Sequence, residues 1–185
     1  MLVAILVIVL FLLVGLAVSA RYSLKDDRVQ VEAYDGRMYL VRDIEDKKRT
    51  ADMMALLNAK VMSLLRHLRQ QGDKPVMVSR LISRYDPQVL AEGRLHRELT
   101  SYTVNKGEQV ILCMRSRDRA DALFPENVLF SVLLHELAHV ASLSEGHGDE
   151  FNENLLLLTS SAEKLGLLKR GKVQLDYCGI PLSRV

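Results

Sequence analysis

The segment VLFSVLLHELAHVASL is nearly all apolar except at His135, Glu136 and His139. It follows Pro125 and predicts a helix that ends near Ser142 and is buried on most of its faces. Burying two histidines and a glutamate in such a helix is costly unless they are paired or bind a metal ion. The chain must therefore fold so that other residues complete a site on this helix.

The two histidines of this segment have the spacing of metal ligands. On an α-helix His135 and His139 stand one turn apart on the same face, where both imidazoles can bind one zinc ion at about 2.0–2.1 Å. Glu136 can reach a water on that ion without being a ligand, take its proton and later deliver it to a leaving amine. The motif predicts a catalytic zinc site with Glu136 as the general base.

A catalytic zinc ion takes three protein ligands and keeps one position open. The predicted third ligand is His147, because Gly146 and Gly148 on either side of it allow the chain to leave the helix and turn sharply back. Glu163, on the next predicted helix, is a rival third ligand. The acids that follow Gly148 fit the first turn of that helix, where its dipole favours them. A buried histidine-rich helix without metal is the simpler alternative.

The remainder of the chain alternates between strand and helix patterns. Alternating runs around Asp35-Gly36 predict a β-hairpin, and helical patterns follow at about 45–71 and from Val76 to just before Pro87. The stretch SYTVNKGEQVILCMR predicts two strands joined by a turn at 105–107. A helix at about 149–169 and an extended segment at 173–182 complete the pattern. The predicted fold class is therefore α+β.

The first twenty residues carry no charged side chain and would form a helix about 30 Å long, which matches the hydrocarbon core of a bilayer. Residues 1–20 are therefore predicted to be a single-pass membrane anchor, with residues 21–185 as one folded domain. Basic residues follow the anchor from Arg21 onward, which places the body on the cytoplasmic side of a host internal or virion membrane. The alternative is a signal peptide cleaved near Ala20, with a secreted body.

Net charge and cysteine content bear on nucleic-acid binding and on the compartment in which the protein works. The net charge is +2 and there is no basic stripe, so strong nucleic-acid binding is not expected. Cys113 and Cys178 are too few for a disulfide scaffold and lack C-x-x-C spacing, which suits a reducing compartment. The sequence makes no prediction of oligomeric state.

The motif His135-Glu136-Leu137-Ala138-His139, followed by a histidine in the pattern H-G-x-x-F that ends at Phe151, resembles the minimal zincin peptidases of the WLM and SprT-like group. The stretches SYTVNKGEQVILCMR, ENVLFSVLLHELAH and DYCGIPL extend the resemblance over about 77–182. In this wider pattern the chain is similar to the membrane-anchored WLM-like metallopeptidases of large eukaryotic DNA viruses.

The resemblance implies a minimal zincin-like domain with an active-site helix, a small sheet and a following helix. It implies that zinc is bound by His135, His139 and His147, with Glu136 as base. It further implies that Tyr177 donates to the oxyanion and that an edge strand, best matched by 108–114, pairs with the substrate backbone. The alternatives are that Tyr177 only packs against its neighbours and that 108–114 is an ordinary internal strand. Cys178 is expected to be a buried thiol, with a fourth zinc ligand as the rival.

The leading interpretation is a membrane-tethered zinc metallopeptidase that acts on protein or peptide substrates. It would hydrolyse peptide bonds with a zinc-bound water that Glu136 activates. The alternative, from a different class, is a catalytically silent, zinc-stabilised structural or tethering protein of a viral membrane. The two interpretations differ in whether the site hydrolyses a substrate.

Overall fold

A mixed sheet, a separate β-hairpin and four α-helices make up the fold in the computed structural model, which describes residues 26–71, 75–94, 100–117 and 121–184. The strands are β1 (Arg28–Glu32), β2 (Met38–Arg42), β3 (Leu90–Glu92), β4 (Tyr102–Val104), β5 (Gln109–Leu112), β6 (Lys172–Tyr177) and β7 (Ile180–Arg184). The helices are α1 (Lys47–Gln70), α2 (Val76–Arg84), α3 (Glu126–Ala141) and α4 (Asp149–Lys164), with a short 3-10 helix at Pro87–Val89. The predicted α+β class is confirmed.

The first five strands form one sheet in the order β1-β2-β3-β5-β4. The β1–β2 and β4–β5 pairs are antiparallel, whereas β2–β3 and β3–β5 are parallel. The prediction that 108–114 is an edge strand is wrong, because β5 lies inside the sheet between β3 and β4. The strand at this edge is β4, which pairs with β5 through Thr103 opposite Val110.

Helix α3 lies at the centre of the domain. It packs against each of the other three helices and against strands β4 and β5. Its side chains Phe130, Leu133, Leu134 and Leu137 are fully buried, as its apolar sequence predicts. Helix α1 buries a stripe from Met54 to Leu68 against strands β1 and β2 and against α3. The site helix is thus held by the core on most of its surface.

Three charged side chains, Arg42, Glu92 and Arg115, are buried together beside the sheet, and with the more exposed Asp46 and Asp121 they form a group that we call the arginine cluster. The Arg115 guanidinium donates to Glu92 at 2.8 Å and to Asp46 at 2.9 Å. The backbone N–H of Arg42 donates to the second oxygen of Glu92 at 2.7 Å, and its guanidinium donates to Asp121. This cluster ties β2, β3 and the start of α1 to the loop after β5.

Strands β6 and β7 form a hairpin that is joined to the sheet by a disulfide between Cys113 and Cys178. Cys178 is buried, as expected, but the prediction of a free thiol is wrong, and the disulfide also removes Cys178 as a zinc ligand. The sequence did not reveal this disulfide, because a separation of 65 residues between two cysteines is not a recognisable spacing pattern. The pairing does not match the reducing compartment that the cysteine content suggested.

The predicted membrane anchor at residues 1–20 lies outside the described residues. Within the part that the structure describes, no helix is long and apolar enough to cross a membrane.

Candidate metal centre

Helix α3 fixes the first two histidines of the site. His135 and His139 are half-buried on the face of α3 that borders a cleft, while Glu136 beside them is only 4% exposed. The carbonyls at the end of the helix accept hydrogen bonds from α2: Arg84 donates to Val140, and Arg80 donates to Ala141. The last turn of α3, which carries His139, is therefore held in place by a neighbouring helix.

The chain turns back after α3 and returns His147 to the other two histidines. Gly146 has a φ of +76°, a left-handed conformation that glycine adopts without steric cost. Glu150, in the first turn of α4, accepts hydrogen bonds from the backbone N–H groups of Leu143 at 3.0 Å and Ser144 at 2.9 Å, and from Arg80. Glu150 thus clamps the returning loop to the start of α4.

The three imidazoles meet at their Nε2 atoms, and we call His135, His139 and His147 the histidine cluster. The Nε2 atom of His147 lies 3.1 Å from that of His135 and 3.1 Å from that of His139. The rings rest on Phe151, whose centroid is 4.4 Å from that of His139 and 4.8 Å from that of His135. Phe151 is a buried support that sets the depth of all three rings.

The cluster fits a metal ion better than a set of hydrogen bonds. An imidazole nitrogen carries either one proton or one in-plane lone pair, so the Nε2 atom of His147 cannot form good hydrogen bonds with both neighbours. Nitrogens bound tetrahedrally at about 2.0–2.1 Å from zinc lie about 3.3–3.4 Å apart, close to the spacing seen here. All three ligand atoms lie within 4.8 Å of one another. The cluster could hold a metal ion.

Burial favours the protonation state that metal binding needs. Burial, and then the neighbouring His139 and His147, lower the pKa of His135 to about 4. Burial and His147 also lower the pKa of His139. Both rings are therefore neutral near pH 7, which is the form of imidazole that binds a metal.

Glu136 lies beside the cluster in a nearly dry setting. Burial raises the pKa of Glu136 to about 7, and a hydrogen bond from Thr103 opposes that rise. The Thr103 hydroxyl donates to Oε2 of Glu136 at 3.0 Å. A carboxyl group whose pKa lies near the working pH can both accept and release a proton.

A cleft of about 660 Å³ opens over the cluster. Its lining includes residues of strand β4 and of the turn after it, and the hairpin contributes Tyr177, Ile180 and Leu182. The Tyr177 side chain is buried, and its hydroxyl lies 2.7 Å from Oγ of Ser101. The structure therefore brings Tyr177 to the cleft wall, where its predicted oxyanion role stays a prediction.

The rival ligands lie elsewhere. Glu163 pairs with Arg170 and does not join the histidine cluster. Asp149 and Glu150 are in the first turn of α4, as expected for acids at a helix N-terminus.

Sequence reasoning missed the clamp by Glu150 and the contact of Thr103 with Glu136. Thr103 and Glu136 are 33 residues apart and become neighbours only in the folded chain. Glu150 lies only six and seven residues after Ser144 and Leu143, but in the sequence it has the pattern of an ordinary acid in the first turn of a helix.

Comparisons with known proteins identify the family of this chain. Residues 42–174 match the family described as the WLM domain. An uncharacterized protein of Acanthamoeba polyphaga mimivirus is 27% identical over 154 residues, covering 80% of this chain and 78% of that protein. An uncharacterized protein of Invertebrate iridescent virus 6 is 35% identical over 92 residues. This match covers 49% of this chain and only about half, 51%, of the relative.

The crystal structure of Wss1 from Saccharomyces cerevisiae has a similar fold. It matches with a TM-score of 0.50 at 20% sequence identity, covering 69% of this chain and 90% of that one. A Wss1 mutant structure matches equally well, with 91% of its chain covered. At this identity the likeness concerns the fold.

Proposed function

Because this chain belongs to the WLM domain family, we propose that it is a zinc metallopeptidase that hydrolyses peptide bonds in protein or peptide substrates. The observation that carries the proposal is the convergence of three imidazoles beside a buried carboxyl group at the floor of an open cleft. A structural zinc site would more often be closed by a fourth protein ligand. Among the described residues no fourth such ligand joins the cluster.

In this proposal His135, His139 and His147 hold the zinc ion. When bound, zinc supplies a Lewis acid that polarises the carbonyl group and makes water acidic enough to attack near neutral pH. Glu136 takes a proton from the attacking water and passes it to the leaving amine. Its burial supports this role, because a carboxyl group with a pKa near 7 is suited to both transfers.

Strand β4 is the proposed binding strand for the substrate. Among the described residues it pairs with β5 on one side only, and its residues Tyr102 and Thr103 line the cleft together with His135 and Glu136. An extended peptide that pairs with the open edge would lay its backbone across the histidine cluster. Tyr177, which also lines the cleft, is a proposed donor to the oxyanion. To reach the oxyanion, its hydroxyl would have to give up its contact with Ser101.

Tethering to a membrane is a separate part of the proposal and rests on the apolar residues 1–20 and the basic residues after them. In this arrangement the body faces the cytoplasm. Carbonate extraction and N-terminal sequencing of the full chain test it: retention in the membrane with the first residues intact supports an anchor, whereas a mature N-terminus at Arg21 supports secretion.

The decisive test of catalysis compares the zinc-loaded wild type with Glu136→Gln on a mixture of unfolded peptides. The wild type should cleave, and the variant should lose about 100-fold or more of the rate with its zinc content unchanged. The matched control is Glu126→Gln on the same helix, where the carboxylate pairs with Lys60 away from the cleft. Equal inactivity of wild type and Glu136→Gln, with zinc bound in both, would instead favour a silent structural protein.

A further inference from the structure

Thr103 connects the edge of the sheet to the carboxyl group of Glu136. Its Oγ1 atom lies 3.0 Å from Oε2 of Glu136 and 3.3 Å from the backbone oxygen of the same residue. A hydroxyl group has a single proton, and the carboxylate is both the nearer and the more strongly charged acceptor. The O–H bond of Thr103 therefore points to Oε2.

This contact matters because Glu136 is buried and flexible by nature. A glutamate side chain has three rotatable bonds, and at 4% exposure little bulk water can orient its carboxylate. In the described part of the chain, Thr103 supplies the side-chain hydrogen bond that Glu136 receives. A hydrogen bond to a charged group is among the stronger ones, so it can select one orientation of the carboxylate.

The position of Thr103 on the strand adds a second consequence. Thr103 is the middle residue of β4, paired with Val110 of β5 on one side, while the other edge of β4 borders the cleft. A substrate that pairs with that edge lies along the same short strand that holds the carboxylate. Binding of the backbone and orientation of the base are then linked through one residue.

We propose that Thr103 is a positioning residue, which holds Oε2 of Glu136 so that Oε1 faces the attacking water; this rests on the proposed peptidase function. In the step that Thr103 supports, an O–H bond of water breaks as its oxygen bonds to the carbonyl carbon, and the π electron pair of the carbonyl moves onto the carbonyl oxygen. That pair re-forms the C=O bond when the C–N bond breaks. The proton moves to Oε1 and then to the amine nitrogen as the C–N bond breaks. Thr103 neither gains nor loses a proton.

Three substitutions test this role. Thr103→Val keeps the shape of the side chain and its preference for strands but removes the hydroxyl. It should lower kcat by roughly 10- to 100-fold, the effect of losing one hydrogen bond to a charged group, and leave KM and zinc content unchanged. Thr103→Ser restores the hydroxyl and should recover kcat to within about threefold of wild type. Thr103→Ala serves if the valine variant folds poorly, and should show the same loss.

Thr159→Val is the matched control, because the Thr159 hydroxyl donates to Leu155 within helix α4 and takes no part in the cleft. It should leave kcat unchanged. A purely structural role for Thr103 would instead lower stability and zinc content together, and serine would not rescue the rate selectively.

Crystal structures of the zinc-loaded wild type and Thr103→Val give a measurement independent of activity. The carboxylate of Glu136 should have one orientation in the wild type and a different or divided one in the variant. An unchanged carboxylate together with an unchanged kcat would overturn the role of Thr103. If the wild type cleaves nothing, the peptidase proposal fails, and the carboxylate orientation still decides whether Thr103 positions it.

Discussion

The arginine cluster and the histidine cluster both place polar side chains against the core, but they satisfy those groups differently. In the arginine cluster, Glu92 and Arg115 are almost fully buried, and the guanidinium groups of Arg42 and Arg115 each donate to a carboxylate of the cluster. In the histidine cluster, three bases converge with no acid among them. The first arrangement is complete within the chain, whereas the second could hold a metal ion.

The difference separates folding from function. Buried charges that pair with one another connect elements and cost stability when one partner is removed. Converging imidazoles gain little from one another and are tolerated because the surrounding helix and Phe151 hold them. The arginine cluster should therefore matter for the stability of the metal-free chain, and the histidine cluster should matter only when a metal is present.

The largest expected effect is on the arginine cluster. Arg115→Ala leaves Glu92 buried without its guanidinium and should lower the free energy of unfolding by about 3–5 kcal/mol. Urea unfolding followed by circular dichroism measures the change. Lys47→Ala is the control, because its pair with Asp43 is exposed and should contribute less than about 0.5 kcal/mol. A change below about 1 kcal/mol for Arg115→Ala would contradict the assigned role.

The disulfide lies between the two clusters, since Cys113 follows β5 on the side of Arg115 and Cys178 follows Tyr177 at the cleft. Replacing both cysteines by serine should lower the free energy of unfolding by about 2–4 kcal/mol, because the bond closes a loop of 65 residues in the unfolded chain. Thermal unfolding with and without a reductant gives the same comparison in the wild type. Indifference of the wild type to reductant would argue against the pairing.

A smaller effect is expected from the clamp on the returning loop. Glu150→Gln removes the charge that accepts from Leu143, Ser144 and Arg80, and should weaken zinc binding by about 10- to 100-fold. Competition with a chromogenic chelator measures the affinity. The control is Glu153→Gln, an exposed residue on the same helix. Equal affinities for the two variants would show that the loop is held without Glu150.

The smallest effect is expected at the rival ligand. Glu163→Gln removes only an exposed pair with Arg170 and should change stability by less than about 0.5 kcal/mol, with zinc content unchanged. Loss of zinc from this variant would show that Glu163, and not His147, is the third ligand.

The sequence predicted the local parts of the site well, for physical reasons. The apolar run after Pro125 located α3, and the spacing of His135 and His139 placed both on one face because a helix repeats every 3.6 residues. The glycine beside His147 correctly indicated the sharp return of the chain. These features depend on residues close together in sequence.

Long-range pairing was the part that local patterns could not reach. The sequence of β5 is typical of a strand, but it does not indicate which strands lie beside it. In the structure β3 pairs with its second edge, and β4 lies at the edge of the sheet beside the cleft. The pairing of Cys113 with Cys178 and the contact of Thr103 with Glu136 have the same origin. Each joins residues that are far apart in the chain and meet only when the sheet packs on α3.

Metal analysis of the purified chain, with His147→Ala beside the wild type, tests the central claim most directly. The wild type should bind one zinc ion per chain, and zinc at about 100 times its dissociation constant should stabilise it by about 2.7 kcal/mol. His147→Ala should lose both the zinc and this stabilisation while keeping the metal-free stability of the wild type. Full zinc content and equal zinc-dependent stabilisation in His147→Ala would contradict the three-histidine site.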